Sequence, residues 1–224
     1  MSIKIDNYKL QNVPSSIFYI PNFITEEEEN HILKKVYEAP KPKWTCLKNR
    51  RLQDYGGIPR RNGMITEPIP EWLQFYMDKV SDLNVFQSVR ANHVLINEYE
   101  PGQGIMPHFD GMLFYPTITT ISCGSHTVLE FIEGSDGNRL PVCNLLLERR
   151  SLVILTNDFY KKYMHLIDER DSDVLDENCV NLDKCGDEYQ VGTELKRQTR
   201  ISLTIRNVPK VCKVNLLDML MSGK

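Results

Sequence analysis

The sequence predicts an all-β core with two helices packed against it. After residue 90, short runs rich in Val, Ile, Leu and Thr are punctuated by Gly, Pro and Asn, a spacing typical of an antiparallel sandwich or barrel. Before residue 90, two segments instead have the periodicity of amphipathic helices. The chain has 224 residues, 41% of them hydrophobic and 25% charged. These values suit one globular domain with a substantial core of its own.

The N-terminal part begins with a strand and a helix. SSIFYIPNF (15–23) has the composition of a strand, and ITEEEENHILKKVYEA (24–39) predicts a helix. Thr25 is placed as its N-cap, with Glu28 three residues on as the capping-box partner. PEWLQFYMDKVSDL (70–83) predicts a second helix, whose aromatic residues follow helical spacing.

The later part of the chain contains six predicted strands. Each is a short apolar run bounded by turn-forming residues. They are ANHVLINEY (91–99), PTITTISC (116–123), HTVLEFI (126–132), CNLLLE (143–148), SLVILT (151–156) and RISLTIR (200–206). With no internal repeat or linker in the sequence, we expect a helical extension (1–90) that belongs to the same domain as the β core (91–210), and a tail (211–224).

Charge is unevenly distributed along the chain. The net charge is only −3, so no global field favours nucleic acid or a membrane surface. Residues 41–61 nevertheless carry seven basic residues and one acid, a net of +6, and their glycines and prolines predict a loop or a short hairpin. Residues 166–192 carry nine acids and two basic residues, a net of −7, with few apolar residues between them. The acidic segment is therefore predicted to be a mobile surface loop.

The six cysteines and the N-terminus indicate an intracellular protein, in the cytoplasm, the nucleus or both. No two cysteines form a C-x-x-C pair, and MSIKIDNYKL lacks the apolar core of a secretory signal. We therefore expect reduced thiols. No apolar run approaches the ~18 residues of a membrane span, so no membrane partner is expected.

The stretch GIMPHFDGM (104–112) contains the first candidate metal ligands. His108 and Asp110 are two residues apart, so on a strand both side chains point to one side and can meet one cation. A third ligand must come from elsewhere in the chain. The remaining histidines are His31 on a predicted helix, His93 within an apolar strand, His126 at a strand start, and His165 after a strand and a short turn.

Two histidines and one carboxylate on one face leave open positions on a metal. That arrangement is typical of non-haem Fe(II) oxygenases, in which the metal holds an oxidant and a cosubstrate together. The alternative is an ordinary loop, because H-x-D by itself is a short and common pattern.

RISLTIR provides a second, stronger observation. Arg200 and Arg206 share a strand face with Ser202 and Thr204, while the three aliphatic residues between them face the other way. Burying two arginines is costly without anionic partners, so the spacing suits a short dicarboxylate. A solvated sheet face with two ordinary arginines is the alternative.

INEY provides a third observation. Asn97 and Tyr99 also share one strand face, and their amide and phenol groups could hydrogen-bond a carboxylate or a keto acid. An ordinary strand with a polar side is the alternative interpretation of this motif.

The chain resembles the AlkB family of Fe(II)- and 2-oxoglutarate-dependent dioxygenases in the order of its motifs, which are N-x-Y, H-x-D, a distant histidine and R-x5-R. The resemblance extends from about residue 14 to 214 and leaves out the acidic segment and both ends. Longer stretches are also similar to that family: YIPNFITEEEE, APKPKWT, LQDYGGIPRRNGM, ANHVLINEYEPGQGIMPHFDG and SLTIRNVPKV.

The resemblance implies a double-stranded β-helix, or jelly roll, with N-terminal helices packed against it, and a substrate lid at residues 41–64. It also implies roles for individual residues. His108, Asp110 and His165 would bind Fe(II). Arg200 would hold the distal carboxylate of 2-oxoglutarate with the help of Asn97 and Tyr99, and Arg206 would lie toward the metal. Ser202 stands where many relatives have asparagine.

The reaction implied by the resemblance is oxidative. O2 and 2-oxoglutarate are converted to succinate and carbon dioxide while a C–H bond of the substrate is hydroxylated. On an N-methyl group, the hydroxylated product would fall apart to formaldehyde and a free amine.

The substrate implied by the family is an alkylated nucleobase in RNA or DNA. The basic stretch could contact phosphates of single-stranded or loosely paired nucleic acid, and its tryptophan could stack on a base. The lid residues predicted to do so are Lys43, Trp44, Arg50, Arg51, Arg60 and Arg61. The alternatives are a solvated basic loop paired with the acidic one, a protein demethylase or hydroxylase, and a nucleic-acid-binding module with little turnover.

Overall fold

The structure is a computed structural model that describes residues 3–11, 13–134 and 138–212. The predicted tail at 211–224 lies outside the described residues except for Val211 and Cys212. Three α-helices are present among the described residues: α1 (Glu26–Tyr37), α2 (Glu71–Ser81) and the short α3 (Asp158–Lys161). The strands are β1 (Ile17–Ile20), β2 (Thr45–Leu47), β3 (Arg50–Tyr55), β4 (Met64–Ile65), β5 (His93–Tyr99), β6 (Ile105–His108), β7 (Thr117–Cys123), β8 (Thr127–Glu133), β9 (Leu140–Leu147), β10 (Leu152–Thr156), β11 (Met164–Ile167), β12 (Ser172–Val174), β13 (Glu194–Lys196), β14 (Arg200–Arg206) and β15 (Val211–Cys212).

Two antiparallel sheets form the core. The larger sheet has the strand order β1-β10-β7-β14-β5-β3-β2, and the smaller has the order β6-β11-β8-β9. Two further pairs, β12 with β13 and β4 with β15, lie outside these sheets. The six strands predicted after residue 90 are β5, β7, β8, β9, β10 and β14, and the fold is the predicted jelly roll.

Both predicted helices are present, and α1 begins as its sequence indicates. The Glu28 backbone N–H donates to Thr25 Oγ1 over 3.2 Å, and the Thr25 N–H donates to the Glu28 carboxylate over 2.8 Å, which completes the capping box. Lys79 of α2 in turn donates to Glu28 over 2.7 Å and joins the two helices. The N-cap of α2 is Pro70.

Alternation along the strands of the large sheet gives it two different faces. One face packs against α1 and α2 and includes Ile201, Leu203 and Ile205 of β14. The other face looks toward the small sheet, where apolar residues such as Phe131 and Leu145 form a second core cluster. Because side chains alternate, the polar residues of β14 must point into the space between the sheets.

The acidic segment at 166–192 differs from its prediction as a solvated loop. Asp173 is fully buried, Arg197 donates to it through two nitrogens at 2.7 Å, and Arg170 donates to it over 2.9 Å. Leu175 and Cys179 belong to a separate buried apolar cluster with residues of β8 and β9. Eight of the nine acids are exposed as predicted, but the segment is not wholly solvated, because net charge does not show that Asp173 is buried with arginine partners.

The cysteine prediction agrees with the structure. All six cysteines lie among the described residues, and all six are free thiols. None of the helices in the described ranges is long and apolar enough to cross a membrane.

Candidate active site

The H-x-D motif lies at the edge of the small sheet, beside the predicted third ligand. His108 ends β6 and pairs with His165 of β11, so the two imidazoles have ring centroids 4.3 Å apart. Asp110 follows two residues later, and its Oδ2 lies 3.7 Å from His165 Nε2. The structure thus brings together all three predicted metal ligands from two strands and the loop that follows.

In His108 and in Asp110, a hydrogen bond occupies one of the two atoms that could bind a metal and leaves the other for the metal. His108 Nδ1 donates to the Met106 carbonyl over 2.9 Å, because a carbonyl oxygen can only accept, and Nε2 is therefore the ring nitrogen left for a metal. Arg206 Nη2 donates to Asp110 Oδ1 over 2.6 Å, and Oδ2 is left toward His165. Across the described part of the chain, no group of three His, Cys, Asp or Glu side chains is placed so that it could hold a metal ion, so the three predicted ligands are neighbours without being in ligating geometry.

Burial and neighbouring charges set the protonation of these ligands. Burial lowers the pKa of His165 to about 4, although Asp110 opposes the shift, so the imidazole is neutral near pH 7. For Asp110, burial raises the pKa, but Arg206 and the two histidines outweigh it and hold the pKa below its ordinary value. A neutral imidazole and an ionised carboxylate are the forms that bind a divalent metal.

Arg200 lies at the opposite end of β14 and is almost fully buried. Its Nη2 donates to Ser122 Oγ over 2.9 Å, and its Nε has no hydrogen-bond partner. No carboxylate among the described residues lies within ion-pair distance of it. Burial lowers the pKa of Arg200 to about 10, which still leaves the guanidinium charged. A buried, uncompensated cation of this kind favours an anionic ligand.

One cavity of about 260 Å³ connects the two ends. At the Arg200 end it is lined by Asn97, Tyr99 and Ser202, as the sequence predicted. At the other end it is lined by the three candidate metal ligands and Arg206. Arg200 and Arg206 are six residue steps apart along β14, so their Cα atoms are separated by roughly 20 Å at ~3.3 Å per residue, and both side chains reach inward over that distance. Apolar side chains complete the walls: Leu95, Ile105, Ile118, Leu129, Leu147, Val153, Leu155 and Ile167.

Two residues at the Arg200 end of the site were not predicted in their observed roles, and one of them, Arg50, lines the cavity itself. Ser122 reaches Arg200 from β7, and Arg50 lines the cavity while its Nε donates to Asn97 Oδ1 over 3.1 Å. Strand alternation in TITTISC could have placed Ser122 on the polar face. Its contact with Arg200 depends on the pairing of β7 with β14, which the sequence alone does not specify.

The basic stretch forms the predicted hairpin, β2 with β3, at the edge of the large sheet. Arg51 is bound to Glu98 through two hydrogen bonds, and its guanidinium lies 4.1 Å from the Trp44 ring centroid. Trp44 also packs against the helix-side core. Both residues thus make contacts within the protein that the sequence did not predict, while the Arg51 side chain keeps 39% of its surface exposed. Their contact with nucleic acid stays a prediction. Lys43 likewise lies 4.3 Å from the Tyr55 ring centroid, whereas Arg60 and Arg61 are exposed.

The other histidines lie away from the ligand set. His31 is exposed on α1 and lies near the Tyr76 hydroxyl, as expected for a surface residue. His126 lies 3.3 Å from buried Asp173. His93 is buried in β5 with no hydrogen bond to either ring nitrogen.

Comparison with known proteins shows which family the chain belongs to. The profile of the "2OG-Fe(II) oxygenase superfamily" matches residues 41–206. The chain is 47% identical over 230 residues to the "Probable RNA/DNA demethylase ALKBH6" of Danio rerio, covering 96% of this chain and 94% of the relative. It is 28% identical to the "tRNA (carboxymethyluridine(34)-5-O)-methyltransferase alkbh8" of Xenopus tropicalis, covering 88% of this chain and 32% of the relative.

Among solved structures, OsALKBH1 shares the fold. Its TM-score is 0.58 at 14% sequence identity, and the match covers 88% of this chain and 100% of that one. With the cavity and the sequence relatives, this likeness defines the class of protein. The chain belongs to the 2OG-Fe(II) oxygenase superfamily and, within it, to the AlkB family. It is accordingly a 2-oxoglutarate-dependent dioxygenase, and the family implies Fe(II), 2-oxoglutarate and O2 as its cofactor and cosubstrates.

Proposed function

We propose that His108, Asp110 and His165 hold Fe(II), that Arg200 holds the distal carboxylate of 2-oxoglutarate, and that the enzyme demethylates an alkylated nucleobase in RNA or DNA. One observation carries the proposal. A buried guanidinium without a carboxylate partner lies at one end of a cavity, and a His-Asp-His set lies at the other. A dicarboxylate spanning from the metal to Arg200 would satisfy both ends.

The protein's own residues prepare each end of the cavity. Arg206 holds Asp110 Oδ1 and thereby orients Oδ2 toward the shared space, while the Met106 carbonyl fixes the His108 ring. Ser122 orients the Arg200 guanidinium, and Asn97 is held by Arg50 beside it. The apolar walls exclude water from the reacting groups. When bound, Fe(II) and 2-oxoglutarate supply the oxidation of a substrate C–H bond by O2.

The nucleobase substrate rests on the relatives and on the chemistry of the product. The zebrafish relative is named for RNA or DNA demethylation, and the frog relative for a tRNA modification. Hydroxylation of an N-methyl group gives an unstable carbinolamine, which loses formaldehyde and leaves the free ring nitrogen. The exposed cations Lys48, Arg60 and Arg61 lie on or near the hairpin and could meet phosphates.

The test begins under anaerobic conditions with Fe(II), 2-oxoglutarate and methylated DNA or RNA oligonucleotides. On adding O2, the wild-type enzyme should release succinate and formaldehyde together. His108→Ala and Asp110→Ala should lose bound metal and both products, because two remaining ligands hold a divalent ion weakly. Succinate release without formaldehyde from any oligonucleotide would exclude the nucleobase substrate. Full turnover in either variant would exclude the metal assignment.

A further inference from the structure

The loop between β6 and β7 carries one of the candidate metal ligands but has several side chains that pack against nothing. This loop, residues 109–116, includes Asp110. Phe109 is 47% exposed and Met112 is 98% exposed. A Cβ atom placed on Gly111 would meet no atom within 4 Å beyond its chain neighbours. Side-chain packing therefore fixes this part of the 109–116 loop poorly, so hydrogen bonds have the larger share in positioning its carboxylate.

Tyr160 of α3 provides such a hydrogen bond from outside the cavity. Its hydroxyl lies 2.6 Å from the Gly111 carbonyl oxygen and 3.0 Å from the Phe114 carbonyl oxygen. A phenol has one O–H group, so it donates to one of these carbonyls or shares its hydrogen between them. Because the two carbonyls are three residues apart, one hydroxyl holds both sides of the exposed part of the loop.

The two carbonyls belong to residues on which the position of Asp110 depends. Gly111 is the covalent neighbour of Asp110. The Phe114 ring centroid lies 4.4 Å from Arg206 Cζ, and Arg206 donates to Asp110 Oδ1 over 2.6 Å. Tyr160 thus acts on the same carboxylate in two ways, through the backbone and through the ring that packs on Arg206.

Tyr160 is held in the protonated form that this contact requires. Burial raises the pKa of its hydroxyl and Asp110 raises it further, while Arg206 acts in the opposite direction. The phenol is therefore protonated near pH 7 and can donate to a carbonyl oxygen. The ring packs against the apolar cluster between the two sheets, which fixes the place of the hydroxyl.

We propose that Tyr160 is a positioning residue for the metal site, which holds the 109–116 loop so that Asp110 can meet a metal together with the two histidines. This inference rests on the proposed function, since it requires Asp110 to be a metal ligand. Groups that hold a ligand in place contribute to metal affinity without touching the metal. Tyr160→Phe removes only the hydroxyl, so it frees the loop and leaves the packed ring in the core.

The experiment titrates metal-free protein with Co(II) in the presence of 2-oxoglutarate, without O2, and follows the visible absorption of the ion. Tyr160→Phe should weaken Co(II) binding by roughly tenfold, as expected for the loss of a group that orients a ligand. The shape of the absorption spectrum should also change, because the carboxylate is held less firmly. The KM for 2-oxoglutarate, from succinate release at saturating Fe(II), should stay at the wild-type value because Arg200 lies at the other end of the cavity.

Tyr76→Phe is the matched control. The Tyr76 hydroxyl also donates to a backbone carbonyl, that of Glu28, over 3.2 Å, but it joins the two helices on the opposite face of the large sheet. Denaturant unfolding should show that both variants fold, and Tyr76→Phe should bind Co(II) like the wild type. Wild-type Co(II) affinity in Tyr160→Phe, or an equal loss of affinity in Tyr76→Phe, would overturn the inference and leave the proposed function standing.

Gly111→Ala tests the loop while leaving Tyr160 intact, and it applies even if Tyr160→Phe does not fold. Gly111 has a φ of 90°, which alanine adopts only with strain, and the open space around it leaves the backbone strain as the main effect. This variant should bind Co(II) more weakly. Combined with Tyr160→Phe, the losses should be less than additive, because both changes act on one loop. Additive losses, or wild-type affinity in Gly111→Ala, would overturn the inference. Failure of the wild-type protein to bind Co(II) would instead remove the metal assignment of the proposed function.

Discussion

Arg200 shows how one buried residue indicates a ligand. A guanidinium removed from water loses a large solvation energy, which here is offset only in part by Ser122. Arg200→Lys should raise the KM for 2-oxoglutarate by roughly tenfold or more, since lysine keeps the charge but loses the two-pronged geometry that matches a carboxylate. The measurement is succinate release at varied 2-oxoglutarate, with metal content determined in parallel.

Metal content should stay at the wild-type level in Arg200→Lys, because Arg200 contacts none of the three candidate ligands. Arg200→Met should show a still weaker response to 2-oxoglutarate. If the lysine variant matched the wild type in KM, the paired geometry would be unimportant. If the methionine variant also matched, Arg200 would not be the cosubstrate anchor.

For individual residues, the sequence predicted which side chains share one face of a strand better than it predicted contacts between strands. The period of two placed Arg200 with Arg206, and Asn97 with Tyr99, on a single face, and the structure agrees. The pairing of Arg51 with Glu98 depends on which strands are neighbours and in what register, and the sequence specifies neither. The contact of Arg51 with Glu98 was not predicted for that reason.

The β2–β3 hairpin and the loop that follows it are the part of the molecule that could meet nucleic acid, and the ion pair of Arg51 with Glu98 of β5 reduces the set of available cations. Lys48, Arg60 and Arg61 are exposed, whereas Arg51 is held by Glu98. Reversing Arg60 and Arg61 together to Glu should weaken binding to a single-stranded oligonucleotide. It should also flatten the salt dependence by ~0.7 in log–log slope for each phosphate that the protein no longer neutralises. Fluorescence anisotropy at several salt concentrations measures both effects.

A double reversal outside the hairpin, Lys161→Glu with Lys196→Glu, makes the same change in net charge at two exposed sites and serves as the control. The control should shift affinity less and leave the slope near that of the wild type. Equal slopes for all three proteins would mean that Arg60 and Arg61 do not bind phosphate.

The 166–192 segment is held to the core by Asp173, and this element should respond to pH. Burial raises the pKa of Asp173, but the hydrogen bonds from Arg197, the neighbouring His126 and the charge of Arg170 outweigh it and hold the pKa well below its ordinary value. Its contribution to stability is therefore present above the unfolded pKa of about 4 and is lost as the pH falls toward the folded value. Asp173→Asn should destabilise the fold by about 3 kcal/mol at pH 7, because it leaves buried Arg197 without its counter-charge.

Denaturant unfolding of wild type and Asp173→Asn between pH 3 and 7 measures this dependence. The difference in unfolding free energy should be largest at pH 7 and should shrink below pH 4. Asp171→Asn, which changes an exposed carboxylate two residues away, should follow the wild-type curve. A difference that stays constant with pH would show that Asp173 acts through packing and not through its charge.

For the whole molecule, the local periodicity of apolar residues was sufficient to predict the class of fold. Two amphipathic helices followed by alternating strands predict helices on a β sandwich, and the structure has that arrangement. The division into a seven-stranded and a four-stranded sheet did not follow from those patterns, because it depends on long-range pairings such as β1 with β10. Only the resemblance to a known family predicted the jelly roll.

The site joins the two sheets, so its ligands should stabilise the molecule as one unit. His108 and His165 belong to the small sheet, while Arg200 belongs to the large one. Metal and 2-oxoglutarate at a hundredfold excess over their dissociation constants should each add about 2.7 kcal/mol if they bind only the folded state. For a domain of this size, each should raise Tm by roughly 5–10 °C under anaerobic conditions.

Asp110→Ala should lose the metal-dependent shift in Tm, and Arg200→Met should lose only the 2-oxoglutarate-dependent one. A 2-oxoglutarate shift of wild-type size in Arg200→Met would place the cosubstrate elsewhere and separate it from the buried guanidinium.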